Sequence, residues 1–436
     1  MPFIRFYFLV VLFVLLDRCK VVNDTGHESE VLIIRGINVI DVINGKIIPD
    51  QDVVVKDKRI FFVGHSFSGN IPAASIAIDG KSKYLCPGLW DMHFHLCWDR
   101  NNDSLLFPIL LKNGITGIRD MGGDLNIMHT FRKRLKEGRQ VGPVIFGAGP
   151  MIDGNPPVYR DFSLPVDGNT NMKVVLDSLK NSGADFFKTY SLIKEPQLKA
   201  ISTYCTKNKM RFAGHLSEYI DPEISIALGQ KSIEHLNRLD DIWTVDRDRI
   251  NRIGRLMIDH KSFLCPTLIT FQLKTQVRDS SIVKKDYTQY IPASLQEEWE
   301  VTWAKRKERH VALADWEDLD KLFISQLELV NHLYTMGVPI LAGSDFAGMP
   351  YVYPGISLHQ ELNLLVKAGL SNEEALKTAT INPVIYMDEQ ENYGSITVGK
   401  YGDMLVLGSN PLDNISNLDS IGLVIVKGKI IERQQR

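Results

Sequence analysis

Apolar and polar positions alternate in three distinct textures along the chain. The first is an almost unbroken apolar run from Phe6 to Leu16, set between Met1-Pro2-Phe3-Ile4-Arg5 and Asp17-Arg18-Cys19-Lys20. A basic start, about a dozen apolar residues and a polar stop is the layout of a secretory leader, and the run is short for a membrane span. No small-x-small cleavage site follows, so an uncleaved membrane anchor stays open. Asp17 and Arg18 stand where a lipobox around Cys19 would carry small residues. Residues 1–20 are therefore read as a signal or anchor that exports the chain, to a periplasmic or extracellular destination.

The second texture is short β-branched runs split by turn residues, and it occurs at both ends. Val31-Leu32-Ile33-Ile34, Asn38–Val42, Asp52–Val55 and Arg59–Gly64 carry it near the start, and Gly394–Lys400, Asp403–Leu407 and Leu423–Ile431 near the finish. Such runs predict strands. Neither end makes a domain alone, and chain termini tend to lie close together, so residues 31–86 and 393–436 are expected to build one β-domain.

The third texture fills residues 87–392. Short apolar runs at Gly88–His95, Gly114–Asp120, Gly142–Gly149, Ala184–Tyr190, Met210–Leu216, Lys231–Leu236, Ser262–Leu268 and Pro339–Phe346 predict strands. Between them lie helix-like stretches: Leu125–Gly138, Met172–Ser182, Pro196–Lys209 and Pro222–Gly229. Strands alternating with helices in this way predict an α/β fold of the (β/α)8 TIM-barrel type. One spacing is too long, that from Leu268 to Pro339. Its charged, tryptophan-bearing sequence (Trp299, Trp303, Trp316) reads as a solvated helical excursion in preference to a substrate lid.

Composition narrows the class. With 436 residues, 44% hydrophobic and 23% charged, the chain has the balance of a folded globular protein and the length of a large barrel with a smaller attached domain. A formal net charge of -2 argues against nucleic-acid binding, which leaves a basic footprint. Cys19, Cys86, Cys97, Cys205 and Cys265 are scattered and form neither a disulfide framework nor a zinc ribbon.

In such a barrel the active-site groups come from the C-terminal ends of the strands. His93 and His95 lie at i and i+2 of the first predicted strand, so both imidazoles face one way and can reach one cation. Alone, a pair of this kind is a weak signal. His215 and His235 end two later strands, and Asp345 follows Ala342-Gly343-Ser344; singly, each reads as an ordinary histidine or a helix cap. Lys188 closes the apolar run Gly183–Phe187. It either snorkels to solvent or, desolvated, has a lowered pKa and can take up carbon dioxide as a carbamate. The force of the set lies in its coincidence at strand ends.

With those residues in place, the chain resembles the amidohydrolase superfamily, and within it the imidazolonepropionase-like and prolidase-like metal-dependent hydrolases. The likeness is carried by Pro87–His95, Gly114–Asp120, Gly183–Lys188, Gly214-His215, Ile233-Glu234-His235 and Gly343-Ser344-Asp345, and by Ala379–Pro383, Gly394–Ile396 and Gly399–Asp403 near the end. Trp90 and Tyr401 depart from the pattern without touching a ligand position. The resemblance implies a TIM barrel at residues 87–392 flanked by a composite β-sandwich domain. It also implies two divalent cations, with zinc suited to the donors as are manganese, iron and cobalt. His93, His95 and Asp345 would hold one, His215 and His235 the other, with N6-carboxylated Lys188 between them. The implied reaction is hydrolysis of an amide or peptide-like C–N bond by a metal-bridging hydroxide, Asp345 serving as general base. Dipeptides or N-acyl amino acids are the expected substrates; the alternative is a mononuclear cyclic-amide hydrolase or deaminase. A non-catalytic exported binding protein is disfavoured by the intact Asp345.

Tyr190, two residues past Lys188, reads either as a contact to a substrate carboxylate or as a rim tyrosine. Arg119 and Asp120 are expected to form an internal salt bridge, and His129 and His332 to lie at the surface. A homo-oligomer is the usual expectation for the family.

Overall fold

The computed structural model of the chain describes residues 31–431 apart from 71, 73, 74, 278, 284 and 310–312. The leader read at residues 1–20 lies outside the described residues. Among those described, no helix is long and apolar enough to cross a membrane.

Strands β1 (Val31–Asp41), β2 (Lys46–Lys56), β3 (Arg59–Gly64), β4 (Ile76–Asp79) and β5 (Tyr84–Pro87) come from the N-terminal side. Three strands from the C-terminal side are β15 (Met404–Leu407), β16 (Ile421–Val426) and β17 (Lys429–Ile431). All eight share one mixed sheet, in the order β17-β16-β15-β5-β1-β2-β3 with β4 also on β1. The seam between the two ends of the chain is the antiparallel pair β5–β15, with Cys86 opposite Leu405. The β-branched runs form strands because both faces have something to bury. Leu32, Ile34, Val53 and Val55 enter one apolar cluster together with Met404, Val406 and Ile425, while the alternate residues Val31, Ile33 and Val54 enter a second.

The middle of the chain is α/β with parallel sheets. β6 (Leu89–Phe94), β7 (Ile115–Asp120) and β8 (Val144–Gly147) form one, in that order. β9 (Met151–Asp153), β10 (Ser163–Pro165), β11 (Phe187–Thr189), β12 (Phe212–Gly214), β13 (Gln230–Glu234) and β14 (Phe263–Cys265) form the other, in the order β10-β9-β11-β12-β13-β14. Helices run between these strands, started by side-chain caps that the sequence supplies: Asp124 accepts from the Asn126 and Ile127 amides, and Asp221 caps a helix that begins with Pro222.

Two seams join the parallel sheets. At one, the Asp185 amide donates to Gly147 O at 2.9 Å while its carboxylate accepts from the Gly147 amide at 2.7 Å. At the other lies the segment Pro339–Phe346. It is not the strand expected from its apolar run, making only the isolated bridges Leu264–Ile340 and Phe94–Phe346. It nonetheless runs between β14 and β6 and bonds to both: Leu264 N donates to Pro339 O and Leu341 N to Leu264 O on one side, Met92 N to Ala342 O and Asp345 N to His93 O on the other. The strands β9 and β10 were not expected at all; at three residues each they are too short to leave a pattern.

The long insert also differs from expectation. It forms the helices Leu268–Thr275, Ala293–Arg309 and Leu313–Met336, among others. Trp299, Trp303 and Trp316 are buried. Trp299 and Trp303, four residues apart and so on one helix face, pack on Tyr351 at ring separations of 5.7 and 5.0 Å. The insert is thus docked onto the loop that follows Asp345, because its charges cover a solvated face while its indoles need an apolar one.

Candidate active site

The parallel strands deliver the predicted residues to one place. His95, His215 and His235 each stand one residue beyond the end of a strand, β6, β12 and β13, while His93 and Lys188 lie within β6 and β11. All of these, with Tyr190 and Asp345, line a single cavity of about 400 Å³.

The four imidazoles are held alike. His93 Nδ1 lies 2.9 Å from Glu234 Oε2, His95 Nδ1 donates to Gly122 O at 3.2 Å, His215 Nδ1 is 3.0 Å from Ser191 Oγ, and His235 Nδ1 is 2.6 Å from Thr267 Oγ1. Each ring is therefore fixed through Nδ1, leaving Nε2 for the cavity, the arrangement that metal-ligating histidines use. Asp345 Oδ1 stands 3.3 Å from His93 Nε2 and 3.5 Å from His95 Nε2. Donor atoms of His93, His235 and Asp345 all fall within 4.8 Å of one another. The rings of His215 and His235 are 4.8 Å apart, edge to face.

Two polar atoms here are buried without any hydrogen-bond partner: Lys188 Nζ and His215 Nε2. A buried donor or acceptor left unmade costs roughly 1–3 kcal/mol, so two in one cavity call for a further group. The donor set of imidazoles, a carboxylate and an amine fits a divalent cation site.

Electrostatics agree with that fit. Burial pushes His93 down to about 3 and His235 down to about 4, and holds His215 well below the ordinary range, so these rings are neutral, as ligands must be. Burial also brings Lys188 down to about 8. For Asp345, burial works upward, but the neighbouring histidines outweigh it and keep the carboxyl well below its usual range.

The backbone is bent to present these groups. His235 (φ 66°), Asp345 (φ 61°) and Thr267 (φ 47°) all sit in the left-handed region, where a non-glycine residue costs roughly 1 kcal/mol or more. Gly348 makes room for the carboxylate: a Cβ there would lie 2.6 Å from Asp345 Oδ1.

Sequence reasoning missed the layer behind the ligands. Arg119 does not pair with Asp120. It is fully buried and donates to Glu234, Ser232 Oγ and Met92 O, while Asp120 accepts from the Leu96 and Cys97 amides. The signal was available in outline, since a charged residue in an all-buried strand needs a partner on a neighbouring one. His129 is exposed as expected, but His332 is half-buried, bonded to Asn251 and tilted against Trp243. Insert residues Ser294, Leu295, Glu298, Trp299 and Thr302 also line the cavity. Cys86, Cys97, Cys205 and Cys265 are free and buried.

A parallel α/β scaffold that gathers four histidines, a carboxylate and an unpartnered lysine into one cavity has the donor set of a hydrolytic enzyme able to bind a cation. The chain belongs to the amidohydrolase family, whose model matches residues 84–431. It is 23% identical over 463 aligned positions to ochratoxinase from Aspergillus niger, covering 92% of this chain and 86% of the relative. Among solved structures it resembles the bottromycin amidohydrolase (TM-score 0.73, 21% identity, 91% and 86% of the two chains). It also resembles a Xaa-Pro dipeptidase with methionine bound in its active site (TM-score 0.70, 19% identity, 93% and 100%). The chain is a hydrolase of carbon–nitrogen bonds.

Proposed function

We propose that this protein hydrolyses the amide bond of a dipeptide or N-acyl amino acid at a site holding two divalent cations, zinc being the first choice. The observation that carries the reading is the pair of orphaned buried atoms, Lys188 Nζ and His215 Nε2, among four imidazoles tied back through Nδ1. His93, His95 and Asp345 would hold one cation and His215 and His235 the other, with Lys188 between them. Lys188 becomes an anionic ligand by adding to carbon dioxide: the nitrogen lone pair forms the C–N bond, one C=O pair moves to oxygen, and a proton leaves the nitrogen for water. When bound, the cations supply Lewis acidity and a lowered pKa for water.

The chain's own groups do the rest. Asp345 accepts the proton of the attacking water at its carboxylate and returns it to the leaving nitrogen as the C–N bond breaks. Glu234 and Arg119 keep His93 in its orientation. Tyr190, on the cavity wall, offers its hydroxyl to a substrate carboxylate; the methionine in the dipeptidase structure is an amino acid bound in the site of a related fold. The hydrogen bonds across the two sheet seams favour a closed (β/α)8 barrel over residues 87–392, and the shared sheet of both chain ends favours a composite β-sandwich from residues 31–86 and 393–436. Residues 1–20 are assigned to export, with or without a remaining membrane anchor, testable by fractionation of the full-length chain.

Elemental analysis of wild type and Lys188→Ala, run beside hydrolysis of a dipeptide and N-acyl-amino-acid library, tests the reading. Two metals per chain, with metal and activity both lost in the variant, support it. A single metal untouched by Lys188→Ala sinks the binuclear site and favours a mononuclear cyclic-amide hydrolase or deaminase.

A further inference from the structure

Besides Asp345, the cavity wall contains one carboxylate, that of Glu298. It comes from the insert helix Ala293–Arg309, where Ser294, Glu298 and Thr302 recur at intervals of four and so share the face that borders the cavity with Leu295 and Trp299. No hydrogen bond or ion pair engages the Glu298 side chain among the described residues. Apart from Lys188, the wall carries no lysine or arginine among the described residues, while Trp98, Tyr159, Phe162 and Trp299 give it aromatic faces. Glu298 therefore adds a carboxylate to a wall that carries several aromatic faces, the combination that receives an alkylammonium.

We propose that Glu298 is a specificity-determining residue that selects substrates bearing an ammonium group. This deepens the reading of the site as an amide hydrolase and rests on it. The ammonium is either the free α-amine of a dipeptide or a basic side chain. In both cases Glu298 contributes through substrate binding and takes no part in bond breaking. Within the substrate classes named above, it separates dipeptides from N-acyl amino acids that lack a cation.

The test uses the metal-loaded full chain and three compounds that share a leaving amino acid: Ala-X, N-acetyl-Ala-X and N-acetyl-Lys-X. In wild type, kcat/KM for Ala-X or N-acetyl-Lys-X should exceed that for N-acetyl-Ala-X about five- to ten-fold, and which of the two leads identifies the ammonium. Glu298→Gln should erase that preference through KM with kcat nearly unchanged, and Glu298→Asp should restore part of it. Glu298 is exposed, so neither substitution threatens folding. The same ratio in wild type and Glu298→Gln overturns the proposal. If wild type cleaves none of the three, the hydrolase reading has failed for these substrates. Calorimetric binding of the same compounds then decides Glu298, with equal affinity for charged and acetylated forms counting against it.

Discussion

The guanidinium of Arg119 and the carboxylate of Glu234, both fully buried, meet at 2.8 Å, and the second oxygen of that carboxylate lies 2.9 Å from His93 Nδ1. One ion pair thus ties β7 to β13 and through His93 to β6, three strands that converge on the cavity. Burial alone would raise the Glu234 pKa, but Arg119 and then His93 hold the carboxyl well below the usual range. A depressed carboxyl contributes stability above its unfolded pKa, and that contribution disappears as pH falls through the folded value.

Removing one partner should cost more than removing both. Arg119→Met leaves a buried carboxylate uncompensated, at about 3–5 kcal/mol, whereas Arg119→Met with Glu234→Gln should recover part of the loss. Arg119→Lys keeps the charge but loses the fork that also reaches Ser232 and Met92, so it should fall between. Because Glu234 orients His93, Glu234→Gln should weaken metal binding by roughly 10–100-fold. Thermal melts and metal titrations measure these effects. A Tm of Arg119→Met equal to that of wild type would contradict the argument.

Gly343 marks where the Pro339–Phe346 segment packs tightly between β6 and β14. A Cβ at that position would stand 2.7 Å from both Cys265 Sγ and His93 Cβ, and 2.8 Å from the His93 amide nitrogen. Two of those three atoms belong to His93 at or next to its backbone, so little can yield. Gly343→Ala should destabilise by about 1–3 kcal/mol and disturb metal content, read by thermal melt and elemental analysis. Cys265→Ala in the same chain should relieve only part of this, since the contact with His93 remains.

Legibility in the sequence followed locality. Alternation of β-branched residues with turns located the terminal strands, and their joining in one sheet was expected from the shared texture of the two ends. His93, His95, Lys188, His215, His235 and Asp345 were legible because strand ends in a parallel α/β fold converge, and the cavity does collect them all. What could not be read were relationships set by packing between distant segments. Arg119 and Glu234 are far apart in sequence, and nothing near Arg119 names its partner except the misleading neighbour Asp120. The insert looked solvated because its charged residues outnumber its tryptophans, yet burial at a few positions four apart decides where a helix docks. Pro339–Phe346 has the apolar content of a strand and bonds to both β14 and β6, but its pairing is broken into isolated bridges, with Asp345 in the left-handed region.

A second pH dependence follows from Glu361, which is not among the ligand candidates. Its carboxylate is fully buried at the start of the helix Leu268–Thr275 and accepts from the Leu268 and Ile269 amides at 2.9 and 2.7 Å. Burial outweighs those two hydrogen bonds and raises its pKa to about 8. A carboxyl raised in the folded state gives stability that is complete below the unfolded value, about 4.3, and declines as pH rises toward about 8. The Tm of wild type should therefore fall relative to that of Glu361→Gln as pH is raised from 5 to about 8. A Tm difference that stays constant across that range would show that Glu361 does not titrate there.

Tyr190 offers the sharpest separation of substrate contact from scaffold. Its ring lies on His215, with centroids 3.9 Å apart and planes tilted by 34°, and its hydroxyl is linked to that of Tyr159. The hydroxyl can be removed while the ring stays. Tyr190→Phe keeps the ring against His215 and deletes one hydrogen bond to a charged group, worth about 1.5 kcal/mol, so KM should rise about ten-fold for substrates with a free carboxylate. Metal content and kcat should stay close to wild type, since an interaction made equally in ground and transition states moves KM alone. Substrates whose carboxylate is amidated should show no such rise. Tyr190→Ala removes the support of His215 as well, and should lower metal affinity and kcat together. A Tyr190→Phe enzyme whose KM matches wild type for both free and amidated substrates would assign the hydroxyl to its bond with Tyr159 and leave substrate recognition to other groups in the cavity.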